Sequence, residues 1–546
     1  MSEPVPPSEK SAAPDPQPAP GQQPAAGPKA AEAGTIAAGY ATDGAALRLG
    51  AVVLDGEVYG DAQVRIPLSM MNRHGLIAGA TGTGKTRTLQ LIAEQLSDAG
   101  VPVFAADIKS DLSGMAQPGT VNDKIAARSA QVRDQWTSTG YPVEFFSLGG
   151  DKTQGTPLRA TVTSFGPLLL SKVLGLNDTQ ESSLQLMFAW ADANGLPLLD
   201  LKDLRSVIAY LTSAEGKSQL EGIGGVSKAT AGVILREISA LETSGAGAFF
   251  GEPEFDTHDL LQTRGTQGVV NLVELVKVQD RPELFSTFLM WLLADLYHDL
   301  PEIGDADKPK LVFFFDEAHL LFTGASKAFL QQVTQTVRLI RSKGVGVFFV
   351  TQQPTDVPDD VLAQLGNRVQ HALRAFTPDD AAALAKTVKT YPRTADYDLE
   401  QALTQLGIGE AVVTVMSERG APTPVAWTRL PAPRSSMSPC APDLFAQLVA
   451  ASPLMAEYGA EVDRDSAYER LATRTQGAAE EAPRRGDQER PRRADEGASP
   501  PARRRSTKPE KTALEQFLDN GAVKQFMRTA AAAVARNIFG TARRRR

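Results

Sequence analysis

The chain has 546 residues, 42% of them hydrophobic, and a formal net charge of −8 from 56 Lys and Arg against 64 Asp and Glu, with an isoelectric point near 5.4. That is roughly three or four domains' worth of chain with ample material for a core. The acidic balance excludes a global attraction to nucleic acid, so any phosphate contact must come from a local basic surface, and the single Cys440 excludes an intramolecular disulfide framework and fits a reducing, cytoplasmic setting.

Residues 1–34 are rich in Pro, Ala and Gly and lack the basic start and apolar run of a secretory signal, which predicts a disordered N-terminal arm. No stretch approaches the roughly 18 consecutive apolar residues of a membrane span, so none is expected. Residues 35–73 alternate in short pieces around glycines and read as a small β-rich lead-in, too short for a separate barrel. Then comes HGLIAGATGTGKTRTLQ. Gly79, Ala80, Thr81, Gly82, Thr83, Gly84, Lys85 and Thr86 fit the phosphate-binding pattern G-x-x-x-x-G-K-[ST]. The apolar Leu76, Ile77 and Ala78 before them predict a buried strand, and residues 87–99 after them have helical apolar spacing. Backbone amides at such a turn wrap phosphates, Lys85 reaches the β and γ oxygens, Thr86 ligates Mg²⁺, and Arg87 lies close enough to join the nucleotide-binding set.

Residues 101–107 predict a second buried strand. Whether Asp107, Lys109 and Asp111 at its end line a ligand crevice or merely form a polar turn stays open on spacing alone. Between about 112 and 266 the pattern is mostly helical, as at 132–137 and 182–193, with one strand at 143–148, which predicts an inserted helical subdomain. A strand at 268–272 and a helix at 282–297 lead to LVFFFDEAH, five apolar residues closed by two acids. This is the form of a Walker B strand, with Asp316 placed for Mg²⁺ and Glu317 for the attacking water. After a helix at 325–343, the strand 345–351 ends in Gln352 and Gln353. Gln352, with Gln353 in reserve, is placed to hydrogen-bond a γ-phosphate, and Arg338, Arg341 and Arg368 are candidates for a transition-state guanidinium.

A last core strand at 370–376 is followed by a hairpin, 410–416 and 423–427, expected to cap the sheet edge. Residues 435–472 form a helical extension with a helix at 444–455, and 473–512 a charged disordered linker. Residues 513–546 are an amphipathic helix ending in four arginines. Docking to an unknown protein partner ranks above a nucleic-acid or membrane-surface anchor and a solvated tail, because Phe and Leu on one face seek an apolar partner. The five histidines are scattered, so Mg²⁺ carried with ATP is the only metal expected.

The order of P-loop, Asp-x-Lys strand end, Phe-Asp-Glu-Ala-His and Thr-Gln-Gln-Pro resembles the FtsK/HerA/VirD4 superfamily. The strings RHGLIAGATGTGKT, DLSGMAQPG, FFDEAHLLF and VGVFFVTQQPTDVP resemble, more narrowly, the HerA-like DUF853 family. The resemblance covers about residues 35–434 and implies an α/β fold with a RecA-like P-loop NTPase core and mainly parallel sheet, ATP hydrolysis, a hexameric ring, and movement on DNA. It also implies Arg341, three residues before Gly344, as the arginine given to a neighbouring subunit. A DNA translocase or helicase-like motor is the leading expectation; an ATP-dependent switch or scaffold acting on a protein is the alternative.

Overall fold

The computed structural model describes residues 28–276, 282–304, 306–322 and 327–481. The expected linker beyond 481 and the amphipathic segment 513–546 lie outside these residues. Helix α1 (Pro28–Ala38) precedes a long hairpin of β1 (Ala46–Leu54) and β2 (Glu57–Pro67). The P-loop strand β3 (Gly75–Ala78), helix α2 (Lys85–Asp98), β4 (Val103–Asp107), α3 (Asp123–Val132), β5 (Val143–Ser147) and β6 (Thr156–Pro157) follow. A helical layer is built from α4 (Val162–Val173), α5 (Asp178–Ala193), α6 (Leu201–Leu211) and α7 (Lys228–Thr243). The short pair β7 (Thr263–Arg264) and β8 (Gln267–Gly268) returns the chain to β9 (Val270–Glu274) and α8 (Pro282–Asp299). Next come β10 (Leu311–Phe315), α9 (His319–Phe322), α10 (Lys327–Ile340) and β11 (Val345–Thr351), then β12 (Asn367–Gln370), β13 (Glu410–Thr414) and β14 (Ala426–Arg429).

Among the described residues, 12 strands form one sheet in the order β2-β1-β14-β13-β12-β3-β11-β10-β4-β9-β5-β6. From β12 to β6 every pairing is parallel. Counting the P-loop strand as first, and setting aside β9 and β5 beyond β4, the centre reads 5-1-4-3-2. This is the RecA-like order, with one strand between the P-loop strand and the strand that ends at Asp316. The runs VFAAD, LVFFF and VGVFFVT are buried at every residue, because helices cover both faces of a parallel sheet. Side chains alternate between those faces. Val312, Phe314 and Phe348 pack with Leu89, Ile92 and Leu96 of α2, while Phe313, Phe315 and Phe349 pack with Phe288 and Trp291 of α8 and Val337 of α10. Each buried phenylalanine adds about 1.5–3 kcal/mol of transfer free energy.

Several expectations change. The arm expected to reach residue 34 gives way at Pro28 to α1, which buries Ala33 and Ile36. The β-rich lead-in is no separate piece, since β1 pairs with β14 and joins the main sheet. Of the helix expected at 132–137 only Val132 is helical: α3 stops there, and Arg133 takes the left-handed φ of 52° that closes a helix. The helical insertion is also narrower than 112–266, because β5 and β6 belong to the sheet. The strand expected at 370–376 ends at Gln370, and the chain then turns over the P-loop. The 410–427 hairpin lies inside the sheet, between β12 and β1, so β2 is the edge. The single helix expected at 444–455 is two, Pro442–Ala451 and Pro453–Tyr458, because Pro453 holds Ser452 extended. A further helix, Ala467–Glu481, occupies the start of the expected linker.

Candidate nucleotide site

The phosphate loop is anchored at both ends of its first turn. The Gly79 N–H donates to the Thr351 carbonyl at the end of β11 (3.2 Å), and the Ala80 N–H to the Ala372 carbonyl just past β12 (2.8 Å). Gly79 has φ +153°, and a Cβ there would lie 2.5 Å from that of His371, so only glycine fits. Gly84, at φ 118°, opens α2 without any side-chain cap, whereas Asn122, Thr161, Asn177, Asp200 and Ser227 cap the starts of α3 to α7. First-turn amides of Lys85, Thr86 and Arg87 are thus left to an external acceptor. Thr83 is buried and donates its hydroxyl to the Ala80 carbonyl (2.7 Å), while Thr81 and Gly82 are exposed. Lys85 is only 8% exposed, and its Nζ donates to the carbonyls of Gly79 (2.7 Å) and Ala80 (3.3 Å). Burial pulls the Lys85 ammonium below its ordinary range, against the opposing fields of Glu317 and Asp316, which places all three in one crevice.

His371 is a residue that sequence reasoning missed. Its Nδ1 donates to the Glu410 carbonyl (2.8 Å), so Nε2 accepts from the Thr88 hydroxyl of α2 (2.8 Å). Burial pushes it down to about 4, and the imidazole stays neutral while it ties β12 and β13 to the P-loop helix. Nothing local in the sequence marks it.

Three carboxylates end adjacent strands at one level. Asp107 is opposite Glu274 in the β4–β9 register, and Asp316 follows Phe315, the partner of Ala106. Asp107 turns the next loop by accepting the N–H groups of Lys109 (3.1 Å), Asp111 (3.2 Å) and Leu112 (2.8 Å). Burial, with Asp316 nearby, raises it to about 6. Burial and the adjoining Glu317 likewise raise Asp316 to about 6, although its Oδ1 accepts the Glu317 N–H at 2.9 Å. Glu317 takes a left-handed φ of 47°, rare for a non-glycine residue, and its Oε1 accepts from Lys109 Nζ. Burial raises the Glu317 carboxyl, but the bond and charge of Lys109 outweigh it and the net shift is downward.

Glu274 was also missed, because the strand was expected to end at 272; an acid closing an apolar run was the available signal. Burial and the field of Asp107 raise Glu274 to about 8, and the Ser110 hydroxyl donates to it. Between the free carboxyl value near 4.5 and about 8, the unfolded chain has lost this proton and the folded chain has not, so stability falls as pH rises through that window. Glu274→Gln should flatten that fall, by on the order of 1 kcal/mol per pH unit. Melting temperatures measured from pH 5 to 8 check this, with parent and variant diverging as pH rises.

Gln352 is exposed immediately after β11, whereas Gln353 is committed to its own turn, donating its N–H to Asp356 (2.9 Å) and accepting from the Thr355 hydroxyl (3.3 Å). Arg368 donates to the carbonyls of Leu365 and Thr390 (both 3.3 Å) within the same chain. Arg338 is exposed on the last turn of α10. Arg341 opens the short turn Arg341–Lys343 at the amino end of β11. It is separated from Thr351 by the whole strand, about 20 Å, so it does not reach the P-loop of its own chain.

Residues 431–440 cross α2 as a strap. Buried Glu94 accepts the N–H groups of Arg434 (2.8 Å) and Ser435 (2.9 Å), and Gln90 donates to Ser435 Oγ (2.7 Å). The other side of the strap is fastened to the loop after β4, through Ser436 N–H to the Gln117 carbonyl (2.9 Å) and Cys440 N–H to Ser113 Oγ (3.0 Å). Between α2, α3 and this strap lies a cavity of about 230 Å³, lined by Arg87, Leu91, Ile125, Arg128, Leu430 and Pro433 among others. Arg128 donates to the carbonyls of Ile408 (2.9 Å), Gly409 (3.0 Å) and Leu430 (3.1 Å).

The sheet order, the anchored glycine loop and the acids at the strand ends define a RecA-like P-loop NTPase fold. Within that class, the chain belongs to the helicase HerA-like C-terminal family, whose model it matches over residues 54–546. It is 22% identical over 385 residues to the DNA double-strand break repair helicase HerA of Pyrococcus furiosus, covering 64% of this chain and 65% of that one. The protein of the same name from Sulfolobus acidocaldarius is 20% identical over 368 residues, covering 65% and 64%. The chain therefore spans slightly less than two thirds of these curated relatives. Among solved structures it is similar to the bacterial conjugative coupling protein TrwB, with a TM-score of 0.47 and 15% identity over 74% of this chain and 94% of that one. No helix of the described residues is long and apolar enough to cross a membrane.

Proposed function

We propose that the chain hydrolyses ATP to ADP and phosphate as a subunit of a ring-shaped motor acting on DNA. The observation that carries this reading is the meeting of Lys85, Asp316 and Glu317 in one crevice at the carboxyl ends of β3 and β10. The cradle fits a triphosphate: Gly79 leaves no room for a side chain against His371 and Gly82 faces open space, and α2 offers uncapped amides beside a lysine. Residues 79–87 bind the phosphates, and the base lies in the cavity beside Arg87 and Ile125. Thr86 and Asp316 are the residues that would hold Mg²⁺, which neutralises phosphate charge when bound. Glu317 orients the attacking water and takes its proton, and Gln352 hydrogen-bonds the terminal phosphate. Arg341, remote from its own P-loop, serves the site of a neighbouring subunit. The names of the archaeal relatives support DNA as the material moved.

The test is ATP turnover with and without single- and double-stranded DNA at two salt concentrations, with the mass in solution by light scattering. Stimulation by DNA that fades steeply with salt, in a hexamer, is the expected result. Turnover indifferent to every DNA would move the search to a protein substrate, and a monomeric mass would end the ring reading. In the same assay Arg341→Ala should bind nucleotide normally and lose about a thousandfold in turnover, with partial recovery when mixed with Glu317→Gln protein.

A further inference from the structure

The roles given above leave one charged side chain of the crevice unexplained. Lys109 is 47% exposed at its side chain and pairs with the Glu317 carboxylate, which is 9% exposed. The base of this lysine is rigid. Asp107 takes the amides of residues 109, 111 and 112, Ser110 sits at φ 58° with its hydroxyl on Glu274, and the Ser113 hydroxyl donates to the Ser110 carbonyl at 2.8 Å. Only the four-carbon arm is left to move, and its end is committed to Glu317 Oε1. The other oxygen, Oε2, is buried and has no hydrogen-bond partner among the described residues, with His319 Nδ1 at 3.4 Å.

We propose that Lys109 is a positioning residue for Glu317, holding one carboxylate oxygen so that the other is presented to the attacking water. The inference rests on the ATP-hydrolysis reading. A carboxylate that must orient water does so only when its own rotation is limited, because misplacing the reacting atoms by about 1 Å costs on the order of a hundredfold. Glu317 is a long side chain leaving a left-handed backbone residue, and Lys85 and His319 both attract it. Without Lys109 the carboxylate is drawn toward the Lys85 ammonium and the His319 ring. An ion pair between two exposed groups would be worth little, but here one partner is buried beside Asp316, and losing the cation leaves its charge uncompensated.

The test uses the full chain carrying Lys109→Met or Lys109→Arg, each alone and combined with Glu317→Gln, with kcat, KM and fluorescent-nucleotide affinity measured for every protein. Lys109→Met should lower kcat by about ten- to a hundredfold while KM and affinity stay within about twofold. Lys109→Arg should recover part of the loss, and Lys109→Met should add nothing in the Glu317→Gln background. Unchanged or increased kcat would overturn the proposal. So would a weakened KM, which would make Lys109 a phosphate ligand, or a further loss on top of Glu317→Gln, which would show that it acts independently. Unaltered nucleotide affinity reports that each variant is folded. A parent protein that binds nucleotide yet turns over no faster than Glu317→Gln would instead overturn the hydrolysis reading itself.

Discussion

Lys85→Ala is expected to lose nucleotide binding by about a hundredfold or more. The ammonium is nearly enclosed, 8% exposed, and already bonded to two P-loop carbonyls, so its position is set by the loop rather than by the ligand. Charge-assisted hydrogen bonds are worth about 1.5–3 kcal/mol each, and about 2.8 kcal/mol is a hundredfold in Kd. The glycine loop itself should persist, because its anchors are backbone bonds to Thr351 and Ala372. Titration with a fluorescent nucleotide, with melting temperature alongside, separates the two effects. An unchanged Kd in a folded variant would remove Lys85 from the site.

Glu317→Gln should keep nucleotide affinity near that of the parent and lose about 10²–10⁴ in turnover, the usual span for a positioned acid–base group. Glutamine has the same shape and can still accept from Lys109, so the geometry at the end of β10 survives while the basic oxygen does not. Single-turnover hydrolysis beside equilibrium binding is the measurement. Turnover at the parent rate would transfer the role elsewhere in the crevice, with Asp107 and Glu274 the next carboxylates along the sheet.

The parts of the site that lie within one strand and its following turn were legible in the sequence. Residues 79–86 and the pair Asp316 and Glu317 are local patterns whose chemistry depends on residue type and near neighbours. The parallel core was legible too, because strands covered on both faces leave uninterrupted apolar runs such as LVFFF. What joins distant strands was hidden. The Lys109–Glu317 pair spans 208 residues and the Thr88–His371 bond 283, and no periodicity carries such contacts. The hairpin at 410–427 illustrates the same limit, since its alternation announces strands but not whether they stand at an edge or inside a sheet. Arg133 and Pro453 show how one backbone preference shifts a boundary that composition alone places a few residues away.

The strap over α2 bears on where this fold can be cut. Its residues provide the N–H donors for the buried carboxylate of Glu94, a group that burial already raises above its ordinary range. Removing everything after β14 would therefore strand a charge on the helix that the phosphate loop opens, at a cost of several kcal/mol. Farther along, Ala467 and Leu471 are sealed into the same core cluster as the inserted helices, and Ser466 and Tyr468 bond to Asp203 of α6. The phosphate-loop half and the helical half are thus stitched by one late stretch of chain. In heredity as in the laboratory, that stretch must travel with the P-loop, and a lineage exchanging its C-terminal part could do so only beyond these stitches.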